Sequence, residues 1–553
     1  MGFKIGVTTG LYYIKSAEEL AGVVRKLGYV LTKGANVVEL SGEVPHEIDY
    51  TSGLELRNIS EKQGVELLFH GSLTVPMTEG EREQWDTAYN HMKYSFRSAV
   101  FGGCKYVLFH ASLYYWPELL TRAEVKVRAV MVDENGKLIK EKLKENEALR
   151  KWFVEKFGED YYQIILKSIE IYALRQKAEI EASETAKKEG KNFSELFIEI
   201  YKRLIKEKLL EYLKEGKEWE SYDIGNYVDI YKILGTYMII TKDPILVEME
   251  KAYGGKIKIN WNNHNWFYEQ YEKFQKTGGP EAILFKEFFY ASVGAKYLEG
   301  HLNALFEKAL LEIIAEIKGL PIKEEEKETL IKIAKNMKVV LETPDARDPS
   351  HAGLYTLWRP KQIIAAIKSF RKNKPWGDKV WANIDFEHIA TQGVDPKFEL
   401  METGKLIPDF GKYVLSVHSG YPSPLHTHRP IDIGEIRIYE LLWELRKAGM
   451  GKENDVYLIF ERGGGEDPYK NSITALKIFA EHLEKNISPE NVGFEFFGIS
   501  EFSEKRQWLQ IKQHALDPLK GLLMVPEETT GFLERAASEK GKRHEEWAKE
   551  EYK

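Results

Sequence analysis

The feature that most constrains the fold of this 553-residue chain is an alternation of short apolar runs with helical patterns. The alternation stops near residue 117 and resumes near residue 337. Such a pattern predicts parallel strands joined by right-handed crossovers. We predict four strands before the break and four after it, over residues 3–8, 36–40, 65–70, 105–110, 337–342, 380–385, 413–418 and 456–461. Eight such units are the number found in a (β/α)8 TIM barrel.

The stretch between the two groups of strands, residues 119–334, is rich in Lys, Glu, Tyr and Leu with helical periodicity. We therefore predict an α/β protein in which residues 1–118 and 335–525 form the two halves of one TIM barrel. The stretch between them would be a large, mainly helical insertion between strands four and five. A lid, a substrate-specificity domain and an oligomer interface are all compatible with it, and the oligomeric state stays open. The last residues, 526–553, are predicted to form a charged helix.

Composition restricts the classes of function. The formal net charge is -7, which argues against a protein that binds nucleic acid through a strongly basic overall surface. Cys104 is the single cysteine, so a disulfide within the chain is excluded and an intracellular protein is favoured. No run approaches the roughly 18–20 apolar residues of a membrane span. We expect a soluble, cytoplasmic protein without a membrane partner, and the abundance of Lys and Glu is typical of a thermophile.

Residue types that bind metal ions stand where the predicted strands end. The active site of a TIM barrel lies at the C-terminal ends of its strands. Six of the 14 histidines fall at or just after such ends, together with three carboxylates. Converging carboxylates would repel one another unless cations balance them, so we predict a site for divalent metal ions. The candidate ligands are His70, His110, Glu342, Asp385, His388, His418, His426, His428 and Glu461.

The same residues carry a resemblance to the xylose-isomerase-like TIM-barrel superfamily. That superfamily includes the endonuclease IV family of apurinic-site endonucleases (AP endonuclease family 2) and many sugar isomerases and epimerases. Its shared metal ligands, Glu, Asp, His and Glu on strands five to eight, are matched by Glu342, Asp385, His418 and Glu461. A shared D-x-x-H motif is matched by Asp385 and His388.

The endonuclease IV pattern adds further ligands. Its histidines on strands three and four are matched by His70 and His110, and its D-x-H motif after strand seven by His426-Thr427-His428, with His in place of Asp. The resemblance implies up to three ions. One would be held by His70, His110 and Glu342, a second by Glu342, Asp385, His418 and Glu461, and a third by His388, His426 and His428. Histidine-rich ligands favour zinc, with manganese or iron as alternatives.

Two departures from the endonuclease IV pattern bear on the substrate. The first strand runs Gly6-Val7-Thr8-Thr9-Gly10 without an early histidine. The turn at residues 71–74 does not match the aromatic loop with which the family penetrates DNA. A small phosphorylated compound, a sugar and damaged DNA therefore all stay open as substrates.

Three hypotheses for function follow. The first is a metal-dependent phosphoester hydrolase resembling endonuclease IV. The alternative is a metal-dependent sugar isomerase or epimerase that uses one ion, with Glu342 and Glu461 exchanging protons with the substrate. The third is a binding protein with a vestigial site. Arg347, Arg429 and Arg462 are candidates for holding an anionic substrate, although a structural salt bridge is an equal alternative for each. Glu39, at the end of strand two, is either a substrate contact or a bystander.

Overall fold

The barrel is closed and fully parallel. The computed structural model describes residues 2–9, 23–31, 33–42, 48–72, 75–112, 131–166, 168–214, 230–346, 356–425, 427–461 and 469–499. Each strand pairs with the next one along the chain, and the eighth pairs with the first. The predicted (β/α)8 barrel is therefore confirmed. Its strands, β1 to β8, span Phe3–Thr8, Val37–Ser41, Glu66–His70, Tyr106–His110, Lys338–Glu342, Val380–Asp385, Val414–His418 and Val456–Phe460.

The interior of the barrel is filled by apolar side chains below the strand ends. Leu68, Leu108, Val340 and Ile459 belong to one buried cluster. On each of these strands the residue two positions later is a candidate ligand, and side chains two apart on a strand share a face. The candidate ligands therefore stand on top of this cluster, at the mouth of the barrel. The cluster comprises Val37, Leu68, Tyr106, Leu108, Val340, Leu415, Tyr457 and Ile459.

Helices surround the barrel. The helix Pro360–Asn373 that follows β5 is amphipathic and buries its apolar face, which includes Ile363, Ile367 and Phe370. The helix Tyr50–Gln63 shows why such elements begin and end where they do: Asp49 caps its first turn, and Gly64 ends it in the left-handed conformation. The helices outside the β4–β5 connection are Val23–Leu31, Tyr50–Gln63, Arg82–Gly102, Pro360–Asn373, Phe386–Thr391, Pro396–Leu406, Ile436–Lys447 and Tyr469–Glu484.

In its described residues, the connection between β4 and β5 is helical apart from two isolated antiparallel bridges, Glu81–Met131 and Val132–Leu138. Its long helix Gly279–Asn303 carries Phe285, Phe288 and Phe289, which pack with Phe267 into an aromatic core. The α-helices of this connection are Ile139–Glu145, Glu147–Phe157, Glu159–Leu166, Ser168–Glu189, Phe193–Lys214, Ile230–Ile240, Pro244–Ala252, Trp266–Thr277, Gly279–Asn303, Leu310–Gly319 and Glu324–Asn336, with a π-helical turn at Ala304–Ala309.

A polar network fastens this connection to the barrel. Arg359, which precedes the helix Pro360–Asn373, lies 2.9 Å from Glu287 on the long helix and 2.5 Å from Glu399. Tyr253 donates to Glu287 over 2.8 Å, and Gln362 donates to Tyr253 over 2.9 Å. Because these side chains are mostly buried, removing one partner would leave another unsatisfied. The network thus fixes helices of the connection against the helix that follows β5.

Residues 1–489 form one compact unit and residues 490–553 another. The second unit is described only at residues 490–499, where a 3-10 turn spans Phe494–Phe497. The charged helix predicted for residues 526–553 lies outside the described residues. Among the described helices, none has the length and apolar character needed to cross a lipid bilayer.

Gly300 provides a test of how the long helix packs. A Cβ atom at this position would lie 1.7 Å from the carbonyl oxygen of Glu134, which is main chain and has little freedom to withdraw. We expect Gly300→Ala to lower the free energy of unfolding by about 3 kcal/mol, as overpacking does in other cores. Urea denaturation followed by circular dichroism measures this. Gly319→Ala is the control, since its Cβ would meet nothing within 4 Å. Equal stability of the two variants would contradict the packing described here.

Candidate metal centre

Seven candidate ligands converge at the mouth of the barrel, and we call them the strand-end cluster. Five are the last residues of β3 to β7, Glu461 directly follows β8, and His388 lies one turn beyond β6. All are buried except Glu461, whose side chain is 12% exposed. The cluster comprises His70, His110, Glu342, Asp385, His388, His418 and Glu461.

Glu342 lies at the centre of the cluster, and its two oxygens face different partners. Oε2 is 3.3 Å from Nε2 of His70 and 3.1 Å from Nε2 of His110. Oε1 is 2.7 Å from Nδ1 of His418 and accepts a hydrogen bond from Asn383 over 2.8 Å. One carboxylate is thus shared by two groups of potential ligands, which is the geometry of a bridging ligand.

The first ligand set consists of His70, His110 and Glu342, whose ligand atoms lie within 4.8 Å of one another. The ring of His70 is oriented by its own neighbour, because Nδ1 lies 3.0 Å from the carbonyl oxygen of Gly71. A carbonyl oxygen only accepts, so Nδ1 carries the proton and Nε2 presents its lone pair toward Glu342 in the neutral ring. This is the tautomer that a metal ligand requires.

The second ligand set adds Asp385, His418 and Glu461 to Glu342. The ligand atoms of Asp385, His418 and Glu461 lie within 4.8 Å of one another. Nδ1 of His418 is 3.5 Å from Asp385 Oδ2 and 3.5 Å from Glu461 Oε2. Three carboxylates therefore surround one imidazole nitrogen, a donor set suited to a divalent ion.

The D-x-x-H motif has a local structural cause. Asp385 caps the short helix Phe386–Thr391, and its side chain accepts a hydrogen bond from the backbone of His388 over 2.7 Å. His388 in turn places Nδ1 2.9 Å from the carbonyl oxygen of Thr343, and its Nε2 lies 3.9 Å from Asp385 Oδ2 in the cluster. The motif therefore builds a rigid pair of ligands rather than two independent ones. The ligand atoms of Glu342, Asp385 and His388 also lie within 4.8 Å of one another.

The third predicted ligand set is not assembled by the described residues. His426 lies outside them. The sequence predicts an extended chain at residues 426–428, in which side chains two apart face the same side, but His428 has a left-handed backbone with φ of 46°. Its Nδ1 is 3.3 Å from Glu387 Oε2 and 3.8 Å from Glu461 Oε2. A third ion held by His388, His426 and His428 stays a prediction.

Two carboxylates near this region were not among the ligands predicted from the sequence. Glu387, between the two ends of the D-x-x-H motif, is fully buried and accepts hydrogen bonds from the backbone of Thr427 (2.6 Å) and His428 (3.0 Å). Asp345 lies 3.7 Å from His110 Nδ1, and its ligand atom groups with those of His110 and His388. Neither stands at a strand end, which is the signal on which the sequence analysis depended.

The predicted substrate-binding arginines are placed only in part. Arg347 and Arg462 lie outside the described residues. Arg429 is 56% exposed, lies 3.6 Å from Asp432 and stacks over the ring of Tyr421 at 5.1 Å. Its role in binding an anionic substrate stays a prediction.

Mutual charge dominates the ionisation of the cluster. Burial alone would raise the pKa of Glu342, but the positive charge of His418 and contacts with His110 and His388 hold it well below its usual range. The pKa of Glu461 is likewise lowered against the effect of burial, chiefly by His428 and His418. Burial would lower the pKa of His388, yet the carboxylates of Asp385 and Glu342 raise it to about 9. Without an ion, positively charged imidazoles balance ionised carboxylates.

The chemistry of the site fits divalent ions. Glu342 Oε2 and Glu461 Oε2 are buried oxygens to which no described residue makes a hydrogen bond of normal geometry, although imidazole nitrogens approach them. An unsatisfied buried carboxylate oxygen is costly. Coordination to a cation would satisfy both oxygens, and imidazole with carboxylate is a donor combination used by zinc, manganese and iron.

Comparisons with known proteins add little to this geometry. No family model and no curated relative matches the sequence. Solved structures that are similar include a D-tagatose 3-epimerase-like protein (10% identity, TM-score 0.37, covering 88% of this chain and 100% of that one). Two others are D-psicose 3-epimerase from Clostridium cellulolyticum H10 (9%, 0.35, 87% and 99%) and a xylose isomerase domain protein from Planctomyces limnophilus (10%, 0.34, 88% and 99%). Similarity at this level carries no argument about reaction or substrate. The resemblance to endonuclease IV therefore stays a prediction.

Proposed function

We propose that this protein is a metal-dependent enzyme that hydrolyses phosphoesters, in which His70, His110 and Glu342 would hold one divalent ion and Glu342, Asp385, His418 and Glu461 a second. The observation that carries the proposal is the division of Glu342 between two ligand sets, with His70 and His110 at one oxygen and His418 at the other. A sugar isomerase that works with one ion has no need of the first ligand set.

The side chains of the site have separate roles. Divalent ions bound here would activate water and neutralise charge on the phosphate. Glu342 sets the spacing between the two ligand sets. Asp385 and Glu461 supply the remaining negative charge of the second set. The capped D-x-x-H turn and the carbonyl oxygen of Thr343 together orient His388 toward the other ligands.

A sugar isomerase or epimerase is the second candidate, and a specific observation favours it. Glu342 and Glu461 reach the same nitrogen of His418 from different strands, at 2.7 and 3.5 Å. Two carboxylates on separate sides of one ion could remove and return a proton on opposite faces of a sugar. Sugars therefore form the second arm of the test.

The test combines metal content with activity. We expect the wild-type chain to bind at least two ions and to cleave a simple phosphodiester such as bis-p-nitrophenyl phosphate or abasic duplex DNA. His110→Ala should lower the metal content by one ion and reduce cleavage on the order of a hundredfold, because the first ligand set keeps only two members. Elemental analysis and a panel of ketoses and aldoses complete the assay.

His264→Ala is the matched control, since His264 is exposed and outside the cluster. It should change neither metal content nor rate. One ion per wild-type chain, unchanged in His110→Ala and accompanied by sugar isomerisation without phosphodiester cleavage, would establish the second candidate instead.

A further inference from the structure

Glu39 is a buried carboxylate that the proposed mechanism does not use. It lies in the middle of β2 and not at the strand end predicted from the sequence, is fully buried, and has its Oε1 3.1 Å from Nε2 of His418. Its other oxygen, Oε2, accepts a hydrogen bond from the hydroxyl of Tyr106 over 2.5 Å. Glu39 therefore contacts the candidate ligand His418 through Nε2, the ring nitrogen that does not face the second ligand set. A tyrosine in the barrel interior in turn holds Glu39 in place.

The two nitrogens of His418 have separate surroundings. Nδ1 faces the carboxylates of the second ligand set, with Glu342 nearest at 2.7 Å, whereas Nε2 faces Glu39. A neutral imidazole carries one proton. If that proton lies on Nε2 beside Glu39, the lone pair of Nδ1 points into the ligand set. A carboxylate placed behind a ligating histidine fixes both its tautomer and its ring orientation.

Glu342 is supported in a parallel way. Asn383 donates to Glu342 Oε1 over 2.8 Å, and Ser416 donates to Asn383 Oδ1 over 2.8 Å. Glu342 and His418 are thus each contacted by a buried polar residue, Asn383 or Glu39, which in turn accepts a hydrogen bond from a hydroxyl group. This repetition indicates that the barrel interior below the cluster is arranged to orient the ligands.

We infer that Glu39 is a positioning residue that orients His418 toward a metal ion, and that Tyr106 holds Glu39 in the required position. The inference rests on the metal-binding part of the proposed function and not on the reaction catalysed. It makes Glu39 neither a substrate contact nor a bystander.

The experiment measures how tightly and in what geometry the full chain binds Co²⁺. Competition with a chelator gives the affinity, and the visible absorption of the bound Co²⁺ reports the ligand geometry. We expect Glu39→Gln to weaken binding by about 10- to 100-fold, the range typical of second-sphere carboxylates, and to shift the absorption. Tyr106→Phe should shift both in the same direction by a smaller factor, because Glu39 remains but is less firmly held.

Tyr457→Phe is the matched control. Tyr457 packs its ring against that of Tyr106 and donates to Glu66 over 3.0 Å. Removing its hydroxyl therefore also deletes one tyrosine–glutamate hydrogen bond of the barrel, but one that involves no residue of the strand-end cluster and leaves the ring in place. It should bind Co²⁺ as the wild type does. If Glu39→Gln does not fold, Tyr106→Phe alone decides the question.

The possible failures are distinguishable. Wild-type affinity and absorption in both Glu39→Gln and Tyr106→Phe would overturn the inference while leaving the metal site intact. A wild-type chain that binds no Co²⁺ at all would overturn the metal site and the inference with it. Metal binding weakened as expected, in a protein that isomerises sugars, would support the inference and refute only the hydrolase proposal.

Discussion

Glu342→Gln is expected to remove two ions at once and to lower phosphodiester hydrolysis by on the order of a hundred- to a thousandfold. Each oxygen of Glu342 serves a different ligand set, so one substitution disturbs both. Glutamine keeps the size of the side chain but removes its negative charge and replaces one oxygen with an NH2 group, which cannot bind a cation. Elemental analysis of the purified variant, with circular dichroism to confirm folding, measures the effect.

Asp385→Asn provides the contrast for this experiment. Asp385 contacts His418 and belongs to the second ligand set only. The Asp385→Asn variant should lose one ion and keep the ion held by His70, His110 and Glu342. If Glu342→Gln and Asp385→Asn lost the same single ion, Glu342 would not bridge two sets, and the one-ion isomerase would be favoured.

The barrel and the ends of its strands could be predicted from sequence because both depend on local patterns. Apolar runs of about five residues followed by a polar residue define where a buried strand leaves the core. Once the strands are known to close into a barrel, their last residues must meet. His70 and Glu342 are far apart in the chain, yet the number and order of the predicted strands predict that they lie close together.

The supporting residues could not be predicted in the same way, because their roles depend on register and side-chain direction. Tyr106 reaches Glu39 only because β4 and β2 place those residues at matching depths inside the barrel. Glu387 occupies an unspecified position of the D-x-x-H motif, so the motif gives no indication that it holds the backbone of residues 427–428. The left-handed backbone of His428 likewise has no signal in the spacing of His426 and His428.

Protons compete with metal ions for the cluster, and metal affinity is expected to rise steeply with pH up to about 9. In the metal-free protein the carboxylates around His388, Asp385 foremost, overcome the effect of burial and raise its pKa to about 9. An ion that uses His388 must displace that proton. Below pH 9, displacement of one proton costs roughly a factor of ten in affinity per pH unit. Between pH 6 and pH 9 the affinity should therefore rise on the order of a thousandfold.

The same shift predicts how the stability of the metal-free protein depends on pH. A histidine whose pKa is raised from 6.5 to about 9 by folding contributes stability that is fully present below pH 6.5 and is lost as pH rises through 9. An ion bound at the cluster replaces the proton as the partner of the carboxylates. The temperature of thermal unfolding should therefore fall between pH 7 and pH 9.5 for the metal-free chain. It should fall much less for the chain with its ions bound.

Calorimetric titrations in buffers of different ionisation enthalpy count the protons released when the ion binds. We expect at least one proton to be released per chain at pH 7, and fewer in His388→Asn, because that variant has no imidazole proton to displace at this position. His264→Ala, changed at an exposed site, should release as many protons as the wild type. If the affinity did not change between pH 7 and pH 9 and no proton were released, the ion would not displace the proton of His388. His388 would then take no part in binding the ion.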